Sequence, residues 1–279
     1  MKIDPNTLYL VGTPIGNLDD MTFRAVEVLQ KVDFIAAEDT RNALKLLNHF
    51  EIKKPLISYF QHNKRERGEI IIERIRKGES CALITDAGMP AISDPGEDLV
   101  ALCHEEGIGV SPIPGACAAI CALASSGLPS GRFTFEGFLS TSTKSRREHL
   151  LGLATEERTM IFYEAPHKLV STLKDLEAVF GDRRITVARE LTKIYEEIEM
   201  TTLLAALEKY SKKSPKGEFV LIIDGRKKEE EEDRLTDKQV QEILEKLLEA
   251  GLTKKEAIRE AAAITGRSRN ELYALTIAQ

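Results

Sequence analysis

Short apolar runs alternate along the first 126 residues with longer stretches whose apolar positions recur every three or four residues. The runs over 8–11 (LYLV), 33–37 (DFIAA), 56–59 (LISY), 81–84 (CALI) and 110–113 (VSPI) are each bounded by turn residues, the pattern of strands buried on both faces. Between them, Met21, Ala25, Val28, Leu29 and Val32 mark one helix, Leu44, Leu47 and Phe50 a second, Ile71, Ile72 and Ile75 a third, and Leu99, Leu102 and Cys103 a fourth. Gly78 and Gly107 close the last two. Strands and helices in strict alternation predict right-handed crossovers and a parallel sheet covered on both faces.

The pattern changes after Gly127. Leu128 to Gly131 reads as a linker, and strands are predicted over 133–138, 159–163, 185–188, 196–200 and 219–224 with only two or three long helices between them. The clearest helix is striped by Leu169, Leu173, Leu176 and Phe180 and stopped by Gly181. This predicts a second α/β domain over 127–225 whose sheet mixes directions. The run RKKEEEEDR from Arg226 has no apolar periodicity and reads as a solvated linker over 226–235. Residues 236–279 read as helices only, with Thr253 and Glu256 spaced as a capping box, and form a small helical module of helix-turn-helix type.

Composition narrows the classes. Across 279 residues, 42% hydrophobic and 30% charged content describe a soluble globular chain. The apolar stretch over 116–124 falls far short of the roughly 20 residues of a membrane helix. The opening residues MKIDPN lack an apolar leader, and four cysteines without a C-x-x-C pair suit a reducing cytoplasm. The net charge of -6 argues against a general nucleic-acid coat and requires any RNA contact to come from a local basic patch.

The chemistry is expected at strand ends. Gly12 to Asn17 lacks the glycine spacing of a dinucleotide fingerprint, and Pro14 and Ile15 stand where a pyrophosphate needs bare N–H groups. No P-loop lysine motif and no G-x-S-x-G elbow is present, and five scattered histidines form no metal-ligand pair. Asp86 and Asp94 read either as paired acids or as residues that satisfy loop N–H groups. What remains is a set of loops rich in small and apolar residues, suited to a ligand held by backbone and apolar contacts, a cationic sulfonium cofactor among them.

The segments VGTPIGNLDD from Val11, AAEDTR from Ala36, LITDAGMPAISDPG from Leu83, PIPGACAAICALASSGLP from Pro112, FEGFL from Phe135, IFYEAPHKL from Ile161 and ARELTK from Ala188 closely resemble the ribosomal small-subunit RNA ribose 2′-O-methyltransferase I family, of the tetrapyrrole methylase superfamily. The resemblance runs in order from Leu8 to Gly225, and the helical tail resembles the family's C-terminal module. It implies two α/β domains of the tetrapyrrole methylase type plus a helical module, a homodimer, and S-adenosylmethionine bound between the α/β domains. The implied substrate is a cytidine ribose in the decoding region of small-subunit (16S) rRNA within an assembled subunit, with no metal and no membrane.

Carried over by motif, the cofactor contacts would be Ile15, Asp86, Met89, Cys117, Ala118, Tyr163, Glu164, Leu191 and, as an extension, Gly217. This chain has Thr85-Asp86-Ala87 where relatives often carry Gly-Asp-Pro, and Cys117 where they carry threonine. Glu38, Asp39 and Glu164, at strand ends, are the candidates for a general base, and each is equally open to pairing with Arg41 or Arg189. For RNA phosphates the candidates are Lys144, Arg146 and Arg147, then Lys64, Arg65 and Arg67, with Arg267 and Arg269 in the tail. Two other readings stand beside this one: a tetrapyrrole or corrinoid precursor methyltransferase of the same superfamily, and a non-enzymatic RNA-binding adaptor.

Overall fold

In the computed structural model, residues 2–212, 214–227, 237–249, 252–265 and 272–273 are described. They fall into two compact units, 1–226 and 227–279. Most of the charged run after Arg226, and Arg267 and Arg269, lie outside the described residues.

All five strands expected in the first half are present: β1 (Thr7–Val11), β2 (Phe34–Ala37), β3 (Leu56–Ser58), β4 (Cys81–Ile84) and β5 (Gly109–Ile113). They pair in parallel in the order β3-β2-β4-β1-β5. Helices α1 (Phe23–Lys31), α2 (Thr40–His49), α3 (Lys64–Arg76) and α4 (Glu97–Glu105) make the crossovers. One core joins Val11, Ile35 and Ile84 to Val28 and Leu47, and another joins Leu8, Phe34 and Leu83 to Ile71 and Leu99. The central strands β2 and β4 are therefore apolar and buried at every position because both of their faces are covered, whereas the edge strands β3 and β5 are less buried.

The second sheet contains β6 (Phe133–Phe138), β7 (Thr159–Glu164), β8 (Arg184–Arg189), β9 (Glu197–Thr202) and β10 (Phe219–Ile223) in the order β6-β7-β10-β8-β9. Only the β6·β7 pair is parallel, so the sheet mixes directions. Helices α6 (Thr143–Gly152), α7 (Pro166–Phe180) and α8 (Leu203–Lys212) accompany it, with Leu150, Leu169, Leu173, Leu176 and Leu203 in the core against Phe162, Val187 and Leu221.

Helix α5 (Ala118–Ser125) sits in the core of this second sheet, where Ala119, Ala122 and Leu123 meet Ile161, Ala188 and Ile222. The chain thus leaves the first sheet at Pro114 to Cys117, one helix earlier than the boundary at 126 that the pattern suggested. The small residues of α5 left it without a clear periodicity, and its packing partners lie 40 to 100 residues downstream.

The second unit contains α9 (Asp237–Glu249) and α10 (Lys254–Thr265), packed through Val240, Leu244, Ile258 and Ala261 with Leu272. Thr253 and Glu256 form the expected capping box: the Thr253 N–H donates to Glu256 Oε2 at 2.9 Å and the Glu256 N–H to Thr253 Oγ1 at 3.4 Å. Among the described residues no helix is long and apolar enough to cross a membrane.

Candidate functional site

The carboxyl ends of β1, β2, β4 and β5 open towards the second sheet, the expected side for a ligand in an open α/β fold. Three loops are locked together there. Thr13 and Gly88 exchange backbone hydrogen bonds at 3.0 and 3.1 Å, and the Thr13 hydroxyl donates to the Thr85 carbonyl at 3.1 Å. Gly12 and Gly115 approach so closely that a Cβ on Gly115 would lie 2.8 Å from the Gly12 Cα. Gly88, at φ +84°, makes the turn after Asp86 in a conformation that L side chains resist. The glycines of the two motifs therefore serve backbone-to-backbone approach.

A cavity of about 420 Å³ lies against these loops. The first sheet contributes Ile15, Glu38, Asp86 to Met89, and Ile92 to Asp94. Cys117 and Ala118, at the start of α5, form its floor with Ala188 and Leu191 from the end of β8. Phe138, Tyr163 to Pro166 and Glu218 to Val220 close it from the second sheet. The cavity thus brings together Ile15, Asp86, Met89, Cys117, Ala118, Tyr163, Glu164 and Leu191, which are five sequence-distant segments.

Gly217 does not line it. At φ +92°, Gly217 leaves room for the Glu190 side chain, whose Cγ would lie 2.5 Å from a Cβ there. Its role is to let the β8 loop and the start of β10 close on each other. Glu190 then accepts from the Glu218 N–H at 3.0 Å and from Lys193 Nζ at 2.9 Å, which holds Leu191 at the cavity wall.

The three acids considered as bases occupy different environments. Asp39 caps α2, accepting from the Arg41 N–H at 2.8 Å and from its guanidinium at 2.6 Å, and the guanidinium hydrogen bonds hold its pKa down at about 2. Glu164 is buried, and its carboxylate accepts from the Ala165 N–H at 2.8 Å and the Thr172 hydroxyl at 2.5 Å, with Lys168 at 3.2 Å. It staples β7 to the first turn of α7. Glu38 is half-buried on the cavity wall, and among the described residues only the Asp86 N–H approaches its carboxylate, at 3.4 Å. Burial first, and then the negative charges of Asp94 and Asp86, push the Glu38 pKa above the ordinary glutamate value. Asp94 is likewise pushed up, by burial and by Asp86.

Asp86 is fixed by the Asn42 amide, which donates to it at 2.9 Å. The Tyr163 hydroxyl accepts from the Ala119 N–H at 3.0 Å, tying β7 to the start of α5, and burial pushes its pKa up to about 12.

The basic cluster on α6 divides. Arg146 is not available to a phosphate: its guanidinium is buried and bound to the buried Asp175 at 2.6 and 2.7 Å. Folding makes it a core ion pair between α6 and α7. Arg147 contacts the other oxygen of Asp175 at 3.2 Å with most of its side chain exposed, and Lys144 is 85% exposed. In the second cluster Lys64 pairs with Asp98 at 2.5 Å, while Arg65 and Arg67 are exposed on α3.

Asp94, Phe138 and Glu218 belong to the cavity but not to the expected set. Phe138 lay within the FEGFL segment, which marked its place; Glu218 adjoins Gly217, the extension of the expected contacts, and reaches the cavity where β10 pairs antiparallel with β7 and β8.

Residues 7–208 match the family described as Tetrapyrrole (Corrin/Porphyrin) Methylases, and residues 235–279 match the RsmI C-terminal HTH domain. A Synechocystis protein named Ribosomal RNA small subunit methyltransferase I is 51% identical over 271 residues, spanning 97% of both chains. The chain belongs to the ribosomal RNA small subunit methyltransferase I family. Members from Escherichia coli O157:H7 and Bacillus subtilis are 46% and 44% identical, each across 98% of this chain. Among solved structures, uroporphyrin-III-C-methyltransferase from Thermus thermophilus shares the fold with a TM-score of 0.56 at 18% identity, covering 78% of this chain and 94% of that one. Diphthine synthase shares it with a TM-score of 0.58 at 16% identity, covering 78% and 90%. The chain thus has the tetrapyrrole methylase architecture, two sheets with a cavity at their junction, followed in sequence by a helical module.

Proposed function

We propose that this chain methylates the 2′-oxygen of a cytidine ribose in the decoding region of small-subunit (16S) rRNA, using S-adenosylmethionine. The charge of the cleft carries this reading. Among the described residues its lining holds the carboxylates of Glu38, Asp86, Asp94, Glu164 and Glu218 and neither lysine nor arginine, while most of the rest is apolar. Glu164 and Glu218 are paired with Lys168 and Lys193, so Glu38, Asp86 and Asp94 carry the negative character. A cationic sulfonium with apolar and polar arms suits such walls, and a phosphate does not.

S-adenosylmethionine, when bound, supplies a methyl group on a positively charged sulfur. Ile15, Met89, Cys117, Ala118, Tyr163 and Leu191 would hold it by contact and exclude water; Asp86, fixed by Asn42, would face it with negative charge. By holding that methyl group in line with the ribose oxygen, these residues would supply much of the rate through alignment. The proton of the ribose hydroxyl goes to Glu38, the one of the three acids free of a cation and placed on the cavity wall.

The relatives are named for small-subunit ribosomal RNA, which favours that substrate over a tetrapyrrole precursor, since the tetrapyrrole enzymes share the fold alone. Lys144 and Arg147 on α6 and Arg65 and Arg67 on α3 are the exposed cations offered to its backbone. The substrate is the assembled subunit in the cytoplasm, and the enzyme acts as a homodimer. Ile194, Tyr195, Ile198 and Met200 support pairing: they are exposed beside β9, an edge strand of the second sheet.

Tritiated S-adenosylmethionine should label small subunits from cells lacking the protein, at a single cytidine ribose. Absence of label on those subunits, or label on a tetrapyrrole precursor instead, would overturn the assignment.

A further inference from the structure

A second cavity, of about 430 Å³, lies on the far side of the Asp86 loop. It shares Ile15, Asp86, Ala87 and Glu218 with the first, so those residues form the partition between two adjoining chambers. Its other walls come from the turn after β1 and from one face of α2, with Asn42 and Lys45 at hydrogen-bonding distance of each other. Lys193 completes it from the second sheet.

The charge changes across the partition. The first chamber presents carboxylates without lysine or arginine, whereas the second has two lysines. Lys193 is neutralised by Glu190 at 2.9 Å and Glu218 at 2.7 Å. Lys45 is different: its ammonium donates to the Asn42 amide oxygen at 3.2 Å and has no carboxylate partner among the described residues. A cation held by a neutral amide at the rim of a cavity keeps its attraction for an incoming anion. Beside it, Asn42 offers an amide with one N–H already on Asp86, leaving a donor and an acceptor for a planar polar edge.

We propose that this chamber receives the RNA flanking the acceptor, with Lys45 on a phosphate and Asn42 facing the neighbouring nucleotide, while the acceptor's 2′-oxygen enters the first cavity, where Glu38 stands. This rests on the proposed ribose methylation and names the part of the site that holds the flanking RNA. The volume suits one nucleotide drawn out of its stack, since sites for small ligands run from about 300 Å³ upward. The shared residues explain why RNA phosphate and a cationic donor need not compete for the same walls: phosphate charge stays with Lys45 and sulfonium charge with the acids.

Lys45 and Asn42 are both exposed on α2, so alanine there should leave the fold intact. Unmodified small subunits and S-adenosylmethionine are the probes. Lys45→Ala should weaken subunit binding about tenfold and reduce the slope of log affinity against log salt by about 0.7–0.9, the signature of one lost phosphate contact. Cofactor affinity measured by calorimetry should stay within about twofold. Asn42→Ala should raise the KM for subunits. A Lys45→Cys protein carrying a short photo-crosslinker should attach within about two nucleotides of the methylated ribose. An unchanged salt slope, a cross-link elsewhere or none, or loss of cofactor binding with subunit binding intact would each overturn the proposal, the last by assigning the chamber to the cofactor. Binding and cross-linking need no turnover. Failure of the wild-type protein to label a ribose would therefore count against the proposed reaction, separately from where the RNA docks.

Discussion

Glu38 at the end of β2 lies within 3.4 Å of the Asp86 backbone nitrogen at the end of β4, while the Asp86 side chain is drawn away to Asn42. The two adjacent strands thus deliver two acids to one cavity in different states of engagement. Asp86 is held in place and Glu38 retains acceptor capacity.

For this reason Glu38→Gln should lower kcat by about 10²-fold or more while cofactor affinity changes little. As the proposed base, Glu38 must be deprotonated, so activity should fall as pH drops through a pKa above the ordinary glutamate value. Asp94, Asp86 and Asp39 are the charges acting on Glu38, so Asp94→Asn should move that acid limb to lower pH. Stopped-time methylation of unmodified subunits across pH checks both.

The same shifts make the cavity a stability cost. A carboxyl whose folded pKa is raised contributes stability that is present below the unfolded pKa and lost as pH rises through the folded one. Glu38 and Asp94 are both raised. Glu38→Gln and Asp94→Asn should therefore raise Tm at pH 7 in the protein without cofactor, and the gain should vanish near about pH 4. Calorimetric scans at the two pH values would show it.

Arg146→Ala strands Asp175, whose side chain is 6% exposed, with only the longer contact to Arg147. A cost of about 3–5 kcal/mol is expected, read from denaturant unfolding. Lys144→Ala should instead leave unfolding unchanged and weaken subunit binding, so the two neighbours separate a core ion pair from a surface cation.

Gly115→Ala places a methyl group 2.8–2.9 Å from the Gly12 backbone. Prising the two loops apart should cost about 1–3 kcal/mol. Because Ile15 and Cys117 flank that contact, cofactor affinity should fall with stability, which calorimetry on one sample can test.

Much of this fold was legible in the linear order of residues. The ten strands among the described residues stand where the sequence pattern predicted them; β2, β4 and β10 were plainest, because a strand covered on both faces is apolar throughout. The small residues of α5 left no periodicity to read, and its place on the second sheet emerged only from contacts with β7, β8 and β10. The cavity loops were legible for a related reason: glycine at Gly12, Gly88 and Gly115 meets demands of backbone approach that few other residues satisfy.

What the sequence determined by itself was most of the elements, the capping box and the turns at the strand ends, since each depends on residues close in the chain; the seat of α5 and the pairing of β10 with β7 and β8 came from the fold. The tertiary structure decided which charged side chains stay free. Arg146 and Arg147 are neighbours in sequence, yet Arg146 is locked in the core by Asp175, 29 residues away, while Arg147 stays mostly exposed. Asp39 and Glu38 are adjacent, yet one caps a helix and the other faces the cavity. A charge is spent or available according to the partner that folding brings to it, and that partner lies far along the chain.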